Sequence, residues 1–578
     1  MSSGLLRAGA AALLVTALAR FLGPLPELRG RALGPSLAGG WALAVPIACG
    51  AWLAARAPRA GSGPFLRRAA VLGLQAALAG ATWLAFVHLV QPDVLRKRSL
   101  VLAAAAALAH VAAGLLPQRR TLAARALAVG VLGAASLGAF APELQRFARR
   151  ADVLGPPGSA NLLLITIDTV RQDALGCYGN RLATSPHLDR LAAEGIVFED
   201  ALSQSPHTHA SIATLLTSTY PREHRSRRES QRLAPENVTL AEHLTGHGYR
   251  TAAFLDNPWL SRELGFDQGY RDFEPHARPG AAEAWLAEHA ATGRFFLHVH
   301  LLQPHAPYLA VEPWAQEFQP DWPVDAPYQR DVPIQVLWDA KRFADVAIPA
   351  EHIERMRALY AAEVRAMDEQ IGALLRALAE AGVADDTLVV VASDHGEEFL
   401  EHGSLGHSHS LYQELVRVPL LMRRPGKRHA GLRVAQQAQL LDVAPTVTEL
   451  LGVTPLPDAR GGSWVTHLAG GAAPASAAFA VAEVYRVDTR HIFLASTPEW
   501  TLHAAVVPLG RDRYEDWTLT GPEASDFALG TRVQLFDRKA DPHEQSDLAA
   551  ARPEVVKELL AALEAWRRAP IRGSEPRR

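Results

Sequence analysis

Cysteine is almost missing from this chain, with only Cys49 and Cys177 in 578 residues. No disulfide framework and no cysteine-based zinc site can be built from two thiols. An excess of one charge is missing too. The 58 Lys and Arg face 60 Asp and Glu, for a formal net charge of -2. A nucleic-acid binder normally carries a basic footprint, so no nucleic-acid partner is expected. Internal repeats are absent, and the only biased tract is an Ala-rich beginning.

The apolar excess behind the 49% hydrophobic content is concentrated in that beginning. Residues 32–55, 69–92, 99–118 and 126–142 are free of Asp, Glu, Lys and Arg. A bilayer core of about 30 Å needs roughly 20 apolar helical residues, so these runs predict four membrane spans. Residues 8–23 supply a fifth if Arg20 snorkels to the headgroups. The expected organisation is a transmembrane helical region of four to five spans at 1–150, then a linker at 151–160 with Gly155-Pro156-Pro157-Gly158. A catalytic domain at 161–470 and a C-terminal subdomain at 471–578 follow. Arginine clusters are nearly even on the two sides, so the positive-inside rule gives no orientation. Five spans from an inside N-terminus place the catalytic domain outside the cytoplasm. The expectation is a multi-pass protein of the cell inner membrane.

Past the linker the pattern changes. Short apolar runs at 161–167, 251–255, 294–301 and 387–392 read as strands buried on both faces. Helical stretches at 186–194, 240–247 and 351–382 separate them. Strands alternating with helices predict an α/β fold with a largely parallel sheet flanked by helices. Shorter strands at 479–485, 491–496 and 533–536, then an amphipathic helix at 553–568, predict a smaller α+β subdomain. In such sheets ligands bind beyond the carboxyl ends of the strands.

Polar residues gather at those ends. Asp168 closes the first strand and Asp394-His395-Gly396 closes the strand at 387–392. Carboxylate and imidazole brought together by parallel pairing suit a divalent cation with mixed O/N ligands, such as Zn²⁺ or Mn²⁺. Thr208, in Ser205-Pro-His-Thr-His-Ala-Ser211, runs into a helix-like stretch. A hydroxyl at a helix N-terminus suits an incoming anion, and a metal beside it would make it a nucleophile. Each residue also has a plain structural reading. Asp168 serves as a turn or cap residue, and Thr208 or Ser211 as an N-cap.

The chain from about 160 to 570 resembles the sulfatase family of the alkaline phosphatase superfamily. Leu-Ile-Thr-Ile-Asp168-Thr-Val-Arg171 is similar to its first metal segment, and 205–221 to its nucleophile segment. Gln303-Pro-His305-Ala-Pro-Tyr308 resembles its Pro-His-x-Pro element, and Ser393-Asp-His-Gly-Glu-Glu its second metal segment. Leu535-Phe-Asp-Arg-Lys-Ala-Asp-Pro-His-Glu544 resembles its closing signature. The resemblance implies an alkaline-phosphatase-like fold and a metal held by Asp168, Thr208, Asp394 and His395. It admits Ca²⁺ beside Zn²⁺ and Mn²⁺.

Departures narrow that implication. The family nucleophile is a cysteine or serine oxidised to formylglycine, whereas Thr208 occupies its position and cannot be so converted. Thr169 replaces a second aspartate, and Gln303 stands where many relatives have aspartate, which argues against a second metal. The family lysine after the second metal segment gives way to His407-Ser-His409. The expected reaction is metal-dependent hydrolysis of a sulfate or phosphate ester, with Thr208 attacking and His305, His407 or His409 protonating the leaving oxygen. Asn257, Arg171 and His300 are the expected substrate contacts. Arg171 reads equally well as an ion-pair residue, and His298 and His300 as core histidines. A threonine nucleophile is also similar to phosphoethanolamine and glycerophosphate transferases, so transfer to a membrane lipid or glycan is the alternative.

Overall fold

The computed structural model describes residues 160–227, 231–309, 311–318, 348–485, 491–506 and 532–571. The apolar runs of 1–150 and nearly all of the linker lie outside them. Among the described residues no helix is long and apolar enough to cross a membrane.

The first strand, β1 (Asn161–Ile167), is fully buried along NLLLITI. The elements after it are α1 (Pro186–Ala193), β2 (Ile196–Leu202), α2 (Thr208–Thr217) and α3 (Leu240–Gly246), then β3 (Arg250–Leu255) and β4 (Asp272–Pro275). Next come α4 (Ala281–His289), β5 (Phe295–Leu301), the 31-residue α5 (Ala350–Glu380) and β6 (Thr387–Ser393). A small hairpin pairs β7 (Glu398–Phe399) with β8 (Leu405–Gly406), and β9 (Arg417–Arg423), β10 (Leu432–Val434), β11 (Ala438–Gln439) and α6 (Val443–Leu450) complete the domain.

Nine strands form one sheet in the order β10-β2-β9-β6-β1-β5-β3-β4, with β11 also on β2. Every pairing is parallel except those of β9, which runs antiparallel to both β2 and β6. The sheet is therefore mixed, with one reversed strand near its middle. Period-two alternation sends Leu162 and Leu164 to one face and Leu163 and Ile165 to the other. The first face packs on Ile212 and Leu215 of α2, Leu244 of α3 and Val447 of α6. The second packs on Leu191 of α1, Trp285 of α4 and Leu359, Ile371 and Leu378 of α5. With both faces covered, continuous apolar strands are what the sheet requires.

The C-terminal sheet is an antiparallel meander of β12 (Ala480–Tyr485), β13 (His491–Ser496), β14 (Trp500–Val506) and β15 (Arg532–Asp537). The strand β14 was not visible in the residue pattern. The closing helix α7 (Pro553–Arg568) lays Leu559 and Leu563 on Val481, Phe493, Leu502 and Leu535.

Candidate active site

All parallel strands of the large sheet end on one edge, where the expected residues meet. Register sets this up: Ile167 of β1 pairs with Leu301 of β5 and Ser393 of β6. Asp168 and Asp394 are the next residues out, and their amides donate to Leu301 O and Ile167 O, both at 3.0 Å. The ligand atoms of Asp168, Asp394 and His395 all lie within 4.8 Å of one another, and none of the three residues is exposed. Gly396 follows because a Cβ there would sit 1.9 Å from the Glu414 carbonyl.

Thr208 is the first residue of α2, so His207, not Thr208 or Ser211, holds the N-cap position. The Thr208 Oγ1 lies 3.4 Å from Asp168 Oδ2 and 3.4 Å from His395 Nε2. Ser211, one turn on, donates to Asp394 O at 2.7 Å and so ties α2 to the second metal segment. Thr169 adopts φ 54°, a left-handed conformation uncommon for a β-branched residue. Its amide lies 3.2 Å from Asp394 Oδ1, and Tyr360 Oη donates to its carbonyl at 2.8 Å.

The electrostatics of this cluster suit a cation. Burial alone would raise Asp168, but the nearby imidazoles of His305, His300 and His395 hold its carboxyl below the usual range. Asp394 is pushed well up, by burial and by the charge on Asp168. Two carboxylates in one dry site cannot both ionise without a compensating cation. Buried Asp168 Oδ1, Asp394 Oδ2 and His300 Nε2 also have no hydrogen-bond partner. Orphaned acceptors at this density are rare in native interiors. A divalent metal fits the donor set of two carboxylates, one imidazole and the Thr208 hydroxyl.

The surrounding residues sort by what they touch. Asn257 donates from Nδ2 to Asp168 Oδ2 at 2.6 Å, while its Oδ1 accepts the Trp259 amide at 2.8 Å. It orients the carboxylate from within the cluster. His300 shares Thr166 Oγ1 with His298, but its Nε2 turns to Asp168 Oδ2 at 3.6 Å. His298 instead uses both ring nitrogens in the core, the second with Tyr270 Oη at 2.9 Å. Burial, then His300, depresses its pKa to about 3. His305 donates from Nδ1 to Ala306 O at 2.6 Å. Burial opposes its protonation, yet Asp168 and Glu397 raise its pKa overall.

Arg171 is the expected substrate contact that the cluster does not include. Its guanidinium makes two bonds to Asp173, at 2.9 and 2.7 Å, and bonds Glu401 at 2.5 Å and the Glu397 carbonyl at 3.0 Å. With four of its five N–H donors committed, it anchors the β7–β8 hairpin and matches the ion-pair reading. Gln303 likewise turns away and accepts from Gln370 Nε2 at 2.8 Å.

The hairpin separates the two histidines after it. His409 has Nε2 on Glu398 Oε2 at 2.6 Å and Nδ1 on the His407 carbonyl at 2.9 Å, so neither nitrogen is left for substrate. The His407 ring lies 4.5 Å from that of His395 and 5.1 Å from that of His305, between centroids. Burial, then His395 and His305, hold its pKa well below the ordinary value. Two residues that motif reading did not single out join here: Glu397, fully buried, and Tyr308. Burial raises the Glu397 carboxyl to about 7. The signal for Glu397 lay in the hairpin register, which places position 397 opposite 407 once Glu398 pairs with Gly406.

A family model described as Sulfatase matches residues 160–278 and 280–453, about half of the chain. The chain belongs to the sulfatase family. Among similar proteins, a multifunctional alkaline phosphatase superfamily protein, PehA of Trinickia caryophylli, is 26% identical, over 70% of this chain and 95% of its own length. Arylsulfatase K of Bos taurus is 25% identical, over 75% of this chain and 86% of its own. The phosphonate monoester hydrolase of Agrobacterium radiobacter shares the fold, with a TM-score of 0.54 and 22% identity over 71% of this chain and 96% of its own. Sulfatase-family membership accounts for the alkaline-phosphatase-like sheet and for the metal-type cluster at its carboxyl edge.

Proposed function

We propose that this sulfatase-family chain hydrolyses sulfate esters at a centre with one divalent cation, using Thr208 as the nucleophile. The observation that carries this reading is the Thr208 hydroxyl, 3.4 Å from both Asp168 Oδ2 and His395 Nε2. Asp168, Asp394 and His395 would hold the cation, which supplies charge stabilisation and makes the neighbouring hydroxyl more acidic. The mixed oxygen and nitrogen donors favour Zn²⁺ or Mn²⁺, with Ca²⁺ admissible from the resemblance. Formylglycine chemistry is not expected, since threonine bears a methyl group where the aldehyde hydrogen would have to be.

The protein's own groups supply the rest. The N-terminal end of α2, with its amides and dipole, attracts the ester's anionic oxygens. Oxygen of Thr208 attacks sulfur in line with the leaving oxygen, which takes the S–O electron pair and a proton from His305. Asp168 and Glu397 favour the protonated His305 that this step needs. Water then takes the sulfuryl group from Thr208. Asn257 and His300 keep Asp168 aimed, and Arg171 holds the hairpin.

Thr208 itself supports a second reading, in which a phosphorus ester is attacked and its group passed to a lipid or glycan alcohol. The apolar runs of 1–150 favour a multi-pass anchor beside such an acceptor, with the catalytic domain outside the cytoplasm. The deciding assay offers purified full-length protein nitrophenyl sulfate, phosphate monoester and phosphodiester, with and without Zn²⁺, Mn²⁺ or Ca²⁺. Metal-dependent release from the sulfate is expected to dominate. Turnover of the phosphodiester alone would move the assignment to the second reading, and inertness toward all three with every ion would end both.

A further inference from the structure

Three large apolar side chains stand exposed among the described residues: Leu182, Trp259 and Leu309. Leu182 lies in the turn before α1, but the other two share an edge with the reacting centre. Trp259 follows β3 and Leu309 follows β5, and these strands run parallel to each other and to β1, so all three end on the side where Asp168 sits. A single exposed apolar residue needs no account. These two differ in that the fold holds both of them still. The Trp259 amide is bound at 2.8 Å by Asn257 Oδ1, and the same Asn257 side chain donates to Asp168 at 2.6 Å. The Leu309 amide donates at 2.6 Å to Glu363 of α5, a carboxylate only 2% exposed. Among the described residues the Trp259 indole itself has no hydrogen bond, ring contact or cation over its face. It is 38% exposed and Leu309 is 55% exposed, so neither contributes a full side chain to the core.

We propose that Trp259 and Leu309 are the specificity-determining contacts for the leaving group, and that the group they select is an apolar alcohol. This rests on the ester reading of the site, in which His305, four residues before Leu309, meets the leaving oxygen. An apolar skeleton lying past that oxygen takes both side chains out of water along with itself. A saccharide would instead set its hydroxyls against groups that accept no hydrogen bond, which costs their hydration. A sulfated or carboxylated saccharide meets a second obstacle. The groups bonded to Asp168 are Asn257, Thr208 and His300, none of them a permanent cation. Arg171 has given its donors to Asp173, Glu401 and the Glu397 carbonyl. Asp256, beside Asn257, adds an exposed carboxylate to the same edge.

Two measurements on full-length protein test this. The first needs no turnover and compares binding of naphthalene-2-sulfonate and methanesulfonate, which carry the same anion on a carbon–sulfur bond that an ester hydrolase does not cleave. Trp259→Ala should weaken the naphthyl compound about 10-fold and Leu309→Ala about 3-fold, while methanesulfonate stays within about twofold. Equal losses on both sulfonates, or no loss on the naphthyl one, overturn the proposal. The second compares kcat/KM for hexyl sulfate and glucose 6-sulfate, both esters of a primary alcohol and so close in intrinsic reactivity. The unaltered protein should favour hexyl sulfate by about 10²-fold, and Trp259→Ala should erase most of that preference by slowing hexyl sulfate alone. A preference for glucose 6-sulfate, or a parallel fall on both esters, refutes the assignment. Inertness toward both esters would count against the ester reading and leave the sulfonate binding to decide this one.

Discussion

The two larger sheets among the described residues are built to opposite ends. The large one concentrates unsatisfied polar groups at its carboxyl edge, where Asp168 Oδ1, Asp394 Oδ2 and His300 Nε2 have no hydrogen-bond partner. The C-terminal meander pairs its strands continuously and buries Val481, Phe493 and Leu502 under α7. Where it meets the β7–β8 hairpin, the charged groups are tied off. Glu544 accepts the Gln413 amide at 3.0 Å, its carbonyl lies 3.0 Å from His402 Nε2, and His402 Nδ1 lies 2.6 Å from Glu414 Oε1. Glu398, His402 and Glu414 also bring ligand atoms within 4.8 Å of one another, but these groups hold each other, His409 and backbone amides. Proximity of carboxylates and imidazoles is common to both places. What differs is whether their lone pairs are already used by neighbouring groups.

Thr208→Ala should break the contrast most sharply. Removal of the nucleophile is expected to cost about 10⁴-fold in turnover. Melting of the catalytic domain should move by no more than a degree or two, since the lost hydroxyl contacts are long. Calorimetry alongside the ester assay checks both halves, and wild-type turnover in this variant would remove Thr208 from the mechanism. A smaller effect of the opposite kind follows from Leu563→Ala, at a side chain with no exposure beneath the meander. Loss of its packing should destabilise the protein by about 3 kcal/mol. Below the new melting transition kcat should match the parent, and a matching fall in kcat would mean that the two sheets are energetically one.

The smallest effect concerns the clamp at His402. Burial opposes charging it, but Glu414 and the Glu544 carbonyl raise its pKa to about 9. Glu414 is itself pushed up, because burial outweighs that pairing. A histidine raised from about 6.5 adds stability that is fully present below pH 6.5 and lost as the pH climbs through 9. Denaturant unfolding between these values should show a decline of about 1 kcal/mol, with allowance for partial solvent screening. In His402→Gln that slope should flatten. A slope unchanged by the substitution would place the titrating group elsewhere.

Much of the large sheet was legible because strands buried on both faces must be continuously apolar, and 161–167 and 387–392 satisfy this without help. The reversed β9 was not legible, since a buried strand reads the same in either direction. Nor was β14, whose Trp-Thr-Leu-His-Ala-Ala-Val mixes polar and apolar residues on a half-covered sheet. At the site, Asp168, Asp394 and His395 were visible as polar residues closing apolar strands. Arg171 read equally as ligand or anchor until Asp173 and Glu401 were seen to take its donors.

By itself, then, the sequence determined that Asp168 and Asp394-His395 close buried strands and that the Thr208 segment runs into a helix. It did so because strand ends and helix starts are local features, fixed by burial pattern and turn chemistry. Only the tertiary structure decided which of His407 and His409 faces that cluster. Two residues apart, they read alike in the chain, and the difference arises from a hairpin register that sets Glu397 against one and Glu398 against the other.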